Sequence, residues 1–389
     1  VYKRQLLLCM FSILYYMTFT QIYRYPTGGQ LTNTKYDIPF TAELVKEWGP
    51  KWKVKDEKQY QEKHQELERG FAKIIKQDQE LSKRGIVDYE IFNKKYEELG
   101  QKTTLSKQEK ELGKLLENYV FYNDKTSKIF LDIQALEHIR EFQGSEYGVL
   151  DKKYKELKAD GFFDGTKLYQ KAIEKRVKRD YISLVHEGVF YILQEDMVTI
   201  GGLIMICFFA LIIPYQLKQR LRRVIPILAT TKTGRRIYQI QLIASALAAL
   251  FVGILQMAVY GIIWHLKGLS VFWRCESWGI ASNSYWCDKL SFGTYMLLYM
   301  ALILLFAIAS IVIIDFIGRT IGNYMGAVAV SIPVCGVMMF LMRKIYYMLF
   351  LITNDQVLAY WELYALALWL IVMLLFYKIR SKRWKKVDL

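Results

Sequence analysis

The chain lacks the short motifs that mark most catalytic sites: it has no GxxxxGK[ST] phosphate loop, no HExxH, no GxSxG and no CxxC. Those absences exclude a Walker-type nucleotide hydrolase, a zincin, an α/β-hydrolase nucleophile and a thioredoxin-like dithiol on this polypeptide. Histidine is scarce, with four residues scattered at positions 64, 138, 186 and 265, and cysteine is nearly as scarce, at five. Neither supplies a cluster for a metal or a general base, so no catalytic residue, metal or cofactor is expected. The long apolar runs are almost free of charge: Asp315 falls near the end of one and Glu362 near the start of another. A carrier driven by protons or sodium places ionisable groups near the membrane midplane. Work on a substrate therefore needs energy from another polypeptide.

What the chain has in abundance is apolar sequence, and it is segregated. Hydrophobic residues make up 53% and charged residues 23%, but the two populations occupy different stretches. Residues 24–196 hold 32 basic and 31 acidic side chains, whereas residues 197–389 hold 19 basic and 6 acidic. The net charge of +16 thus belongs mainly to the apolar half. It is concentrated in seven cations from Lys218 to Arg236, Arg319, and six from Lys378 to Lys386. Cations confined to loops beside apolar runs fix topology in a membrane, so nucleic-acid binding is a poor explanation of the basic balance.

A bilayer core of ~30 Å needs about twenty apolar residues of helix. Six stretches qualify as expectations: Leu6 to Tyr23, Met197 to Gln216, Ile237 to Leu266, Leu290 to Ile314, Thr320 to Met342, and Val357 to Tyr377, the last interrupted by Glu362. The opening VYKRQ reads as the translation of a transposase sequencing adapter, so residues 1–23 are taken as adapter-like residues and a truncated first span. A signal peptide is the competing reading, but no small-x-small cleavage site follows LLLCMFSILYYMTFT. An even number of spans puts both termini on one side, and the basic tail 378–389 makes that side cytoplasmic. Residues 24–196 then lie outside, since long translocated segments are exempt from the charge rule. The expected fold is an all-α integral membrane protein with six transmembrane helices and a helical, coiled-coil-like extracellular domain inserted between the first and second.

Within that domain, Tyr60, His64, Leu67, Phe71, Ile74 and Leu81 recur at steps of four and three across one helix from Lys55 to Arg84. Asp88 is placed to cap a second helix carrying Phe92, Tyr96 and Leu99, and Ser106 with Glu109 forms a capping box before Leu112, Leu115 and Leu116. Gly85, Gly100, Gly144 and Gly161 punctuate the series. A last helix is expected from Asp164 through Ile173, Val177, Tyr181 and Leu184, with a bend at Gly188.

Cys275 and Cys287 lie in WRCESWGIASNSYWCDK, a short loop that the topology puts outside. An oxidising compartment permits a disulfide there, with two thiols as the alternative. Trp273, Trp278, Tyr285 and Trp286 in the same loop read as interfacial anchors. Cys9, Cys207 and Cys335 fall within spans as packing residues, and Gly201, Gly202, Gly253 and Gly261 as helix-contact positions.

The segment 217–236, LKQRLRRVIPILATTKTGRR, turns between two spans. Pro226 divides it, Gly234 permits a tight turn, and Arg220, Arg222, Arg223, Lys232, Arg235 and Arg236 can meet an acidic surface. Anionic lipid is the other partner such cations suit. Thr231, Lys232, Gly234 and Arg235 match an STKxGR pattern, and the chain order of span, external domain, span, elbow and four further spans resembles the membrane subunit of type-2 ABC transporters, the ABC-2 permease group common in Gram-positive bacteria. The resemblance covers residues 197–386 and, for the external domain, only its layout. It implies a permease of a bacterial plasma membrane, paired with a second copy or a paralogue, whose elbow docks on a separate cytoplasmic ATPase that binds the ATP. Its substrate would be a hydrophobic or amphipathic peptide, lipid or antibiotic. Where the family often has a Glu just after the second span, this chain has Gln216 or Gln219 and the pair Arg222 and Arg223. A membrane-anchored receptor or secretion-accessory protein with a helical external domain is the other reading the layout allows.

Overall fold

The computed structural model describes residues 2–24, 32–53, 56–102, 104–122, 124–147, 166–171, 181–222, 237–277, 286–287, 289–352 and 356–386. The chain divides into two compact units, one of residues 1–28, 189–273 and 283–389, the other of residues 29–188 and 274–282. The division moves both ends of the expected 24–196 insert inward. It also adds residues 274–282, from the loop that holds Cys275.

The first unit is a bundle of long apolar helices. After α1 (Tyr2–Phe19) and α2 (Gln21–Arg24) come α9 (Glu187–Leu221), α10 (Ile237–Leu266), α11 (Phe292–Thr320), α12 (Tyr324–Tyr346) and α13 (Trp361–Lys386). The last five are long and apolar enough to cross a membrane. In α1 the apolar stretch is the shorter segment Leu8–Phe19, so a sixth crossing is not established. The chain kinks at Thr20, and Asp196 of α9 accepts the freed backbone N–H groups of Gln21, at 2.5 Å, and Ile22, at 2.9 Å. A buried carboxylate thereby acts as an N-cap delivered from another helix.

The packing explains why α9 is the innermost helix: 72% of its apolar window is buried, against 17% for α13. Cβ atoms added at Gly201 and Gly202 would lie 2.7 Å from Met342 and Met339, and one at Gly253 would lie 2.5 Å from Leu304. Small residues let these helices approach, as membrane packing favours. Among the described residues nothing lies within 4 Å of a Cβ added at Gly261, so it makes no such helix contact within the described part of the chain. Cys207 and Cys335 are buried as expected of packing residues, whereas Cys9 is exposed.

At the end of the bundle where α12 turns into α13, Phe350 donates its backbone N–H to Glu362 Oε1 at 2.9 Å, and Trp286 donates its own to Phe350 O at 2.9 Å. Glu362 therefore does not merely interrupt the last span. It ties a hairpin in which Met348, Phe350 and Tyr360 hold φ near +60° without being glycine, a strained arrangement that persists only where surrounding bonds over-determine it.

The second unit comprises α3 (Thr32–Trp48), α4 (Glu57–Ile75), α5 (Gln79–Lys83), α6 (Tyr89–Gln101), α7 (Lys107–Glu117) and α8 (Asp124–Tyr147), with one antiparallel ribbon of β1 (Lys51–Lys53) and β2 (Tyr181–Ser183). Its core gathers Phe71, Ile75, Leu81, Phe92, Leu116 and Phe130. Phe71, Phe92 and Phe130 meet at centroid distances of 5.2 to 6.0 Å, the spacing of tilted and edge-on aromatic pairs.

Two local expectations hold here and two are corrected. Asp88 accepts from Ile91 N at 2.9 Å, and both arms of the Ser106 and Glu109 capping box are present. The helix expected from Lys55 to Arg84 is two, because Asp78 accepts from Glu80 N at 2.7 Å and Leu81 N at 3.0 Å and starts a new one. The core stripe accordingly passes through Ile75 rather than Ile74. Gly85 follows at φ +73°, a conformation that suits glycine. Of the helix expected from Asp164, residues 167–171 are helical, Ile173 and Val177 lie outside the described residues, and Tyr181–Ser183 form β2 instead, paired Lys51 with Ser183, Trp52 with Ile182, and Lys53 with Tyr181; Gly188 falls within the continuous helix α9. Glu276, from the added segment, explains why residues 274–282 join this unit: it accepts from Lys51 Nζ at 2.7 Å and Tyr181 OH at 2.8 Å, while its carbonyl accepts from Ser183 Oγ at 3.1 Å.

Candidate functional site

The elbow 217–236 begins at the end of α9 and finishes where α10 starts. Of the residues singled out in it, Arg220 and Arg222 are described, while Arg223, Pro226, Thr231, Lys232, Gly234, Arg235 and Arg236 lie outside the described residues. The functional geometry therefore sits in the elbow's two roots and in what they touch.

Both roots converge on the end of α11. Asp315, fully buried, accepts from Gln216 Nε2 of α9 at 2.7 Å and from Arg319 Nε one turn further along α11 at 2.8 Å. A second arm of the Arg319 guanidinium donates to Gln241 Oε1 of α10 at 2.7 Å, and Gln241 Nε2 donates to Gln219 Oε1 of α9 at 2.7 Å. The guanidinium also lies 5.1 Å from the centre of the Tyr238 ring, within cation–π range. Five polar side chains from three helices thus form one connected chain of hydrogen bonds, with the charge pair at its centre.

Arg220 extends this clamp. Its Nη1 donates to the carbonyls of Arg319 at 3.1 Å and Thr320 at 2.8 Å, satisfying two of the last acceptors of α11 and placing a cation at a helix C-terminus. From α13, Arg380 donates to Thr320 Oγ1 at 3.2 Å, and Tyr377 stacks on Tyr238 at 6.1 Å. Gly318 makes the crossing possible: a Cβ there would sit 3.0 Å from Gln216 Cβ and 3.4 Å from Ile213 Cα. Arg222, by contrast, is exposed on the turn that leaves α9.

In the sequence Asp315, Arg319, Gln216 and Gln219 stand out only separately, and Gln241 and Gly318 do not stand out at all. The available signal was the spacing of Asp315 and Arg319, an acid and a base four residues apart in an otherwise apolar helix. Nothing local pointed to their partners on α9 and α10.

Further along the same two helices, α9 and α10 leave a crevice of about 170 Å³, lined by Phe208, Leu211, Tyr215, Ala244, Ser245 and Ala248 among others. Its walls suit an apolar occupant. Cys275 and Cys287 fall in different units, Cys275 with the helical unit and Cys287 with the bundle, and each carries a thiol here. Cys275 Sγ donates to Leu184 O at 3.5 Å, and burial pushes its thiol up to about 12. In the helical unit, His64 Nε2 meets Glu137 Oε1 at 3.1 Å and Tyr89 OH donates to Glu137 Oε2 at 2.9 Å, a link between α4, α6 and α8. Among the described residues no group of three or more His, Cys, Asp or Glu side chains is arranged to hold a metal ion.

A family model described as ABC-2 family transporter protein matches residues 63–378, which is 316 of the 389 residues. The match takes in much of the helical unit as well as the bundle, further than the layout alone reached. No curated protein and no solved structure matches the chain.

Proposed function

Since the chain belongs to the ABC-2 family of transporter proteins, we propose that it is the non-catalytic membrane subunit of an ATP-driven exporter. In this reading the bundle pairs with a second permease copy or a paralogue in a bacterial plasma membrane, with the helical unit on the outer side. The elbow 217–236 docks a cytoplasmic ATPase, and the substrate is hydrophobic or amphipathic. The observation that carries the reading is the clamp beneath the elbow: Gln216, Gln219 and Gln241 bind its two roots to Asp315 and Arg319. Topological lipid anchoring needs cations at the surface, not a buried network joining the loop's two ends to a third helix.

The experiment is the triple charge reversal Arg222→Glu, Arg223→Glu and Arg235→Glu. Exposed ion pairs contribute only ~0.2 to 1 kcal/mol each, so one change is too small a test and three together remove about 0.6 to 3 kcal/mol. The reading expects membrane insertion at the wild-type level and loss of the ATPase from the purified permease. Full retention of the ATPase by a normally inserted triple variant would refute docking through this elbow. Altered insertion with the ATPase still bound would favour lipid anchoring.

A further inference from the structure

We propose that Arg319 is a positioning residue for energy coupling, holding both roots of the elbow to the end of α11 so that displacement of the elbow is delivered to the bundle as one movement. The inference rests on the docking reading above and adds to it the part that carries the motion inward. Its basis is geometric. The elbow joins α9 to α10, and a load applied to a loop tethered only at its two ends would be absorbed by those ends. Here each end is bonded to a third helix. Gln216 of α9 reaches Asp315 at 2.7 Å, and Gln241 of α10 reaches Arg319 at 2.7 Å.

Arg319 is the one side chain in this network that bonds both the carboxylate and the opposite root, and its planar fork is what allows it: Nε is used on Asp315 and Nη2 on Gln241. Lysine carries the charge without the fork. The backbone carbonyls of Arg319 and Thr320 receive Arg220, so the end of α11 is held from α9 twice. Gly318 lets α11 pack closely against the backbone of α9, where an added Cβ would lie 3.4 Å from Ile213 Cα. Arg319 lies 7% exposed and Asp315 fully buried, so the link is shielded from the water and salt that weaken exposed charge pairs.

The test separates coupling from folding. Full-length chain is purified with the ATPase that accompanies it, and two quantities are read: the amount of ATPase retained and the rise in ATP hydrolysis over the ATPase alone. In the double variant Asp315→Leu with Arg319→Met the charge pair is replaced by side chains of similar volume, an exchange that folded proteins tolerate. The account expects that variant to insert and to retain the ATPase, while the permease-dependent rise falls at least tenfold. Arg319→Lys keeps the pair with Asp315 and loses the second arm, and is expected to lower the rise at least threefold with association unchanged. A purely structural role predicts no fall once the variant is folded. Wild-type stimulation, within twofold, in either folded variant overturns the inference. So does failure of both variants to insert, since the network would then serve folding alone. If the wild-type chain brings down no ATPase, the docking reading has failed first, and that outcome is distinguishable because it precedes any substitution.

Discussion

Removing the Arg319 side chain alone should be more damaging than removing Arg319 and Asp315 together. In Arg319→Ala the Asp315 carboxylate, fully buried, keeps Gln216 and loses its 2.8 Å charge-assisted partner, while Gln241 Oε1 loses its donor. Leaving one member of a buried pair uncompensated costs ~3 to 5 kcal/mol. Hydrogen bonds between membrane helices average only about 0.6 kcal/mol, so the charge, not the hydrogen-bond count, decides the size of the effect. In Asp315→Leu with Arg319→Met no charge is stranded. Gln216 Nε2 and Gln241 Oε1 are each short of one partner, at roughly 1 kcal/mol apiece. The expected order is therefore about 3 to 5 kcal/mol for the single change and about 2 for the double, read from reversible unfolding of the full-length chain in mixed micelles titrated with denaturing detergent. A double variant as unstable as the sum of the two single variants would refute the argument, because it would mean that neither charge compensates the other.

Other outcomes follow from single contacts. Gly318→Ala forces a methyl against Gln216 Cβ at 3.0 Å and Ile213 Cα at 3.4 Å; overpacking of this kind costs about 1 to 3 kcal/mol, and an unchanged unfolding midpoint would show that α9 and α11 have room to part. Asp78 is held below the usual carboxylate range by its hydrogen bond from Tyr119, then by those from Leu81 and Glu80, so its contribution is present above the unfolded pKa of about 3.9 and is lost as pH falls through the lower folded value. Amide exchange at Glu80 and Leu81 in the full chain should accelerate relative to neighbouring amides only in that acidic window, and in Asp78→Ala at every pH. In the reduced chain, burial pushes the Cys275 thiol up to about 12, so alkylation at pH 8 should be slow and should rise about tenfold per unit of pH until the protein unfolds. Rapid alkylation of Cys275 in the folded chain at pH 8 would refute its burial, and an intact mass two hydrogens below that of the reduced chain would show the disulfide with Cys287 that the sequence allows instead of the thiol.

The parts of the fold legible in the sequence are those that depend on residues within a few positions of one another. Ser106 and Glu109, Asp88, and Gly85 announce their roles through side chains that serve their own backbone neighbourhood. The long apolar helices are equally plain, since length and composition alone decide them. Asp78 shows how a local signal loses to a periodic one: the four-and-three stripe runs through it, yet its carboxylate stops one helix and starts the next. Strand β2 was hidden for the opposite reason. Tyr181 to Ser183 has no helix-breaking residue of its own, and its state is set by pairing with Lys51 to Lys53, well over a hundred residues earlier in the chain.

The candidate site was half visible. The cations of the elbow and the STKxGR match drew attention to residues 217–236, and Asp315 and Arg319 stood out as charges at the end of an apolar run. Their partners did not, because a glutamine in an apolar helix reads as tolerable polarity until a facing helix supplies a reason for it. Gln216 lies 99 residues from Asp315, and Gln241 lies 78 from Arg319. Gly318 carries no chemistry at all and becomes informative only when the distance to Gln216 is known.

The central claim is that the elbow meets an ATPase. A photo-reactive amino acid placed at Thr233, between the two halves of the STKxGR match, tests it in native membranes with the full-length chain. The account predicts, on illumination, an adduct with a protein carrying a phosphate-binding loop, reduced when Arg222, Arg223 and Arg235 are reversed in charge. Adducts with lipid alone, or labelling of Thr233 by an impermeant reagent added outside intact cells, would contradict it.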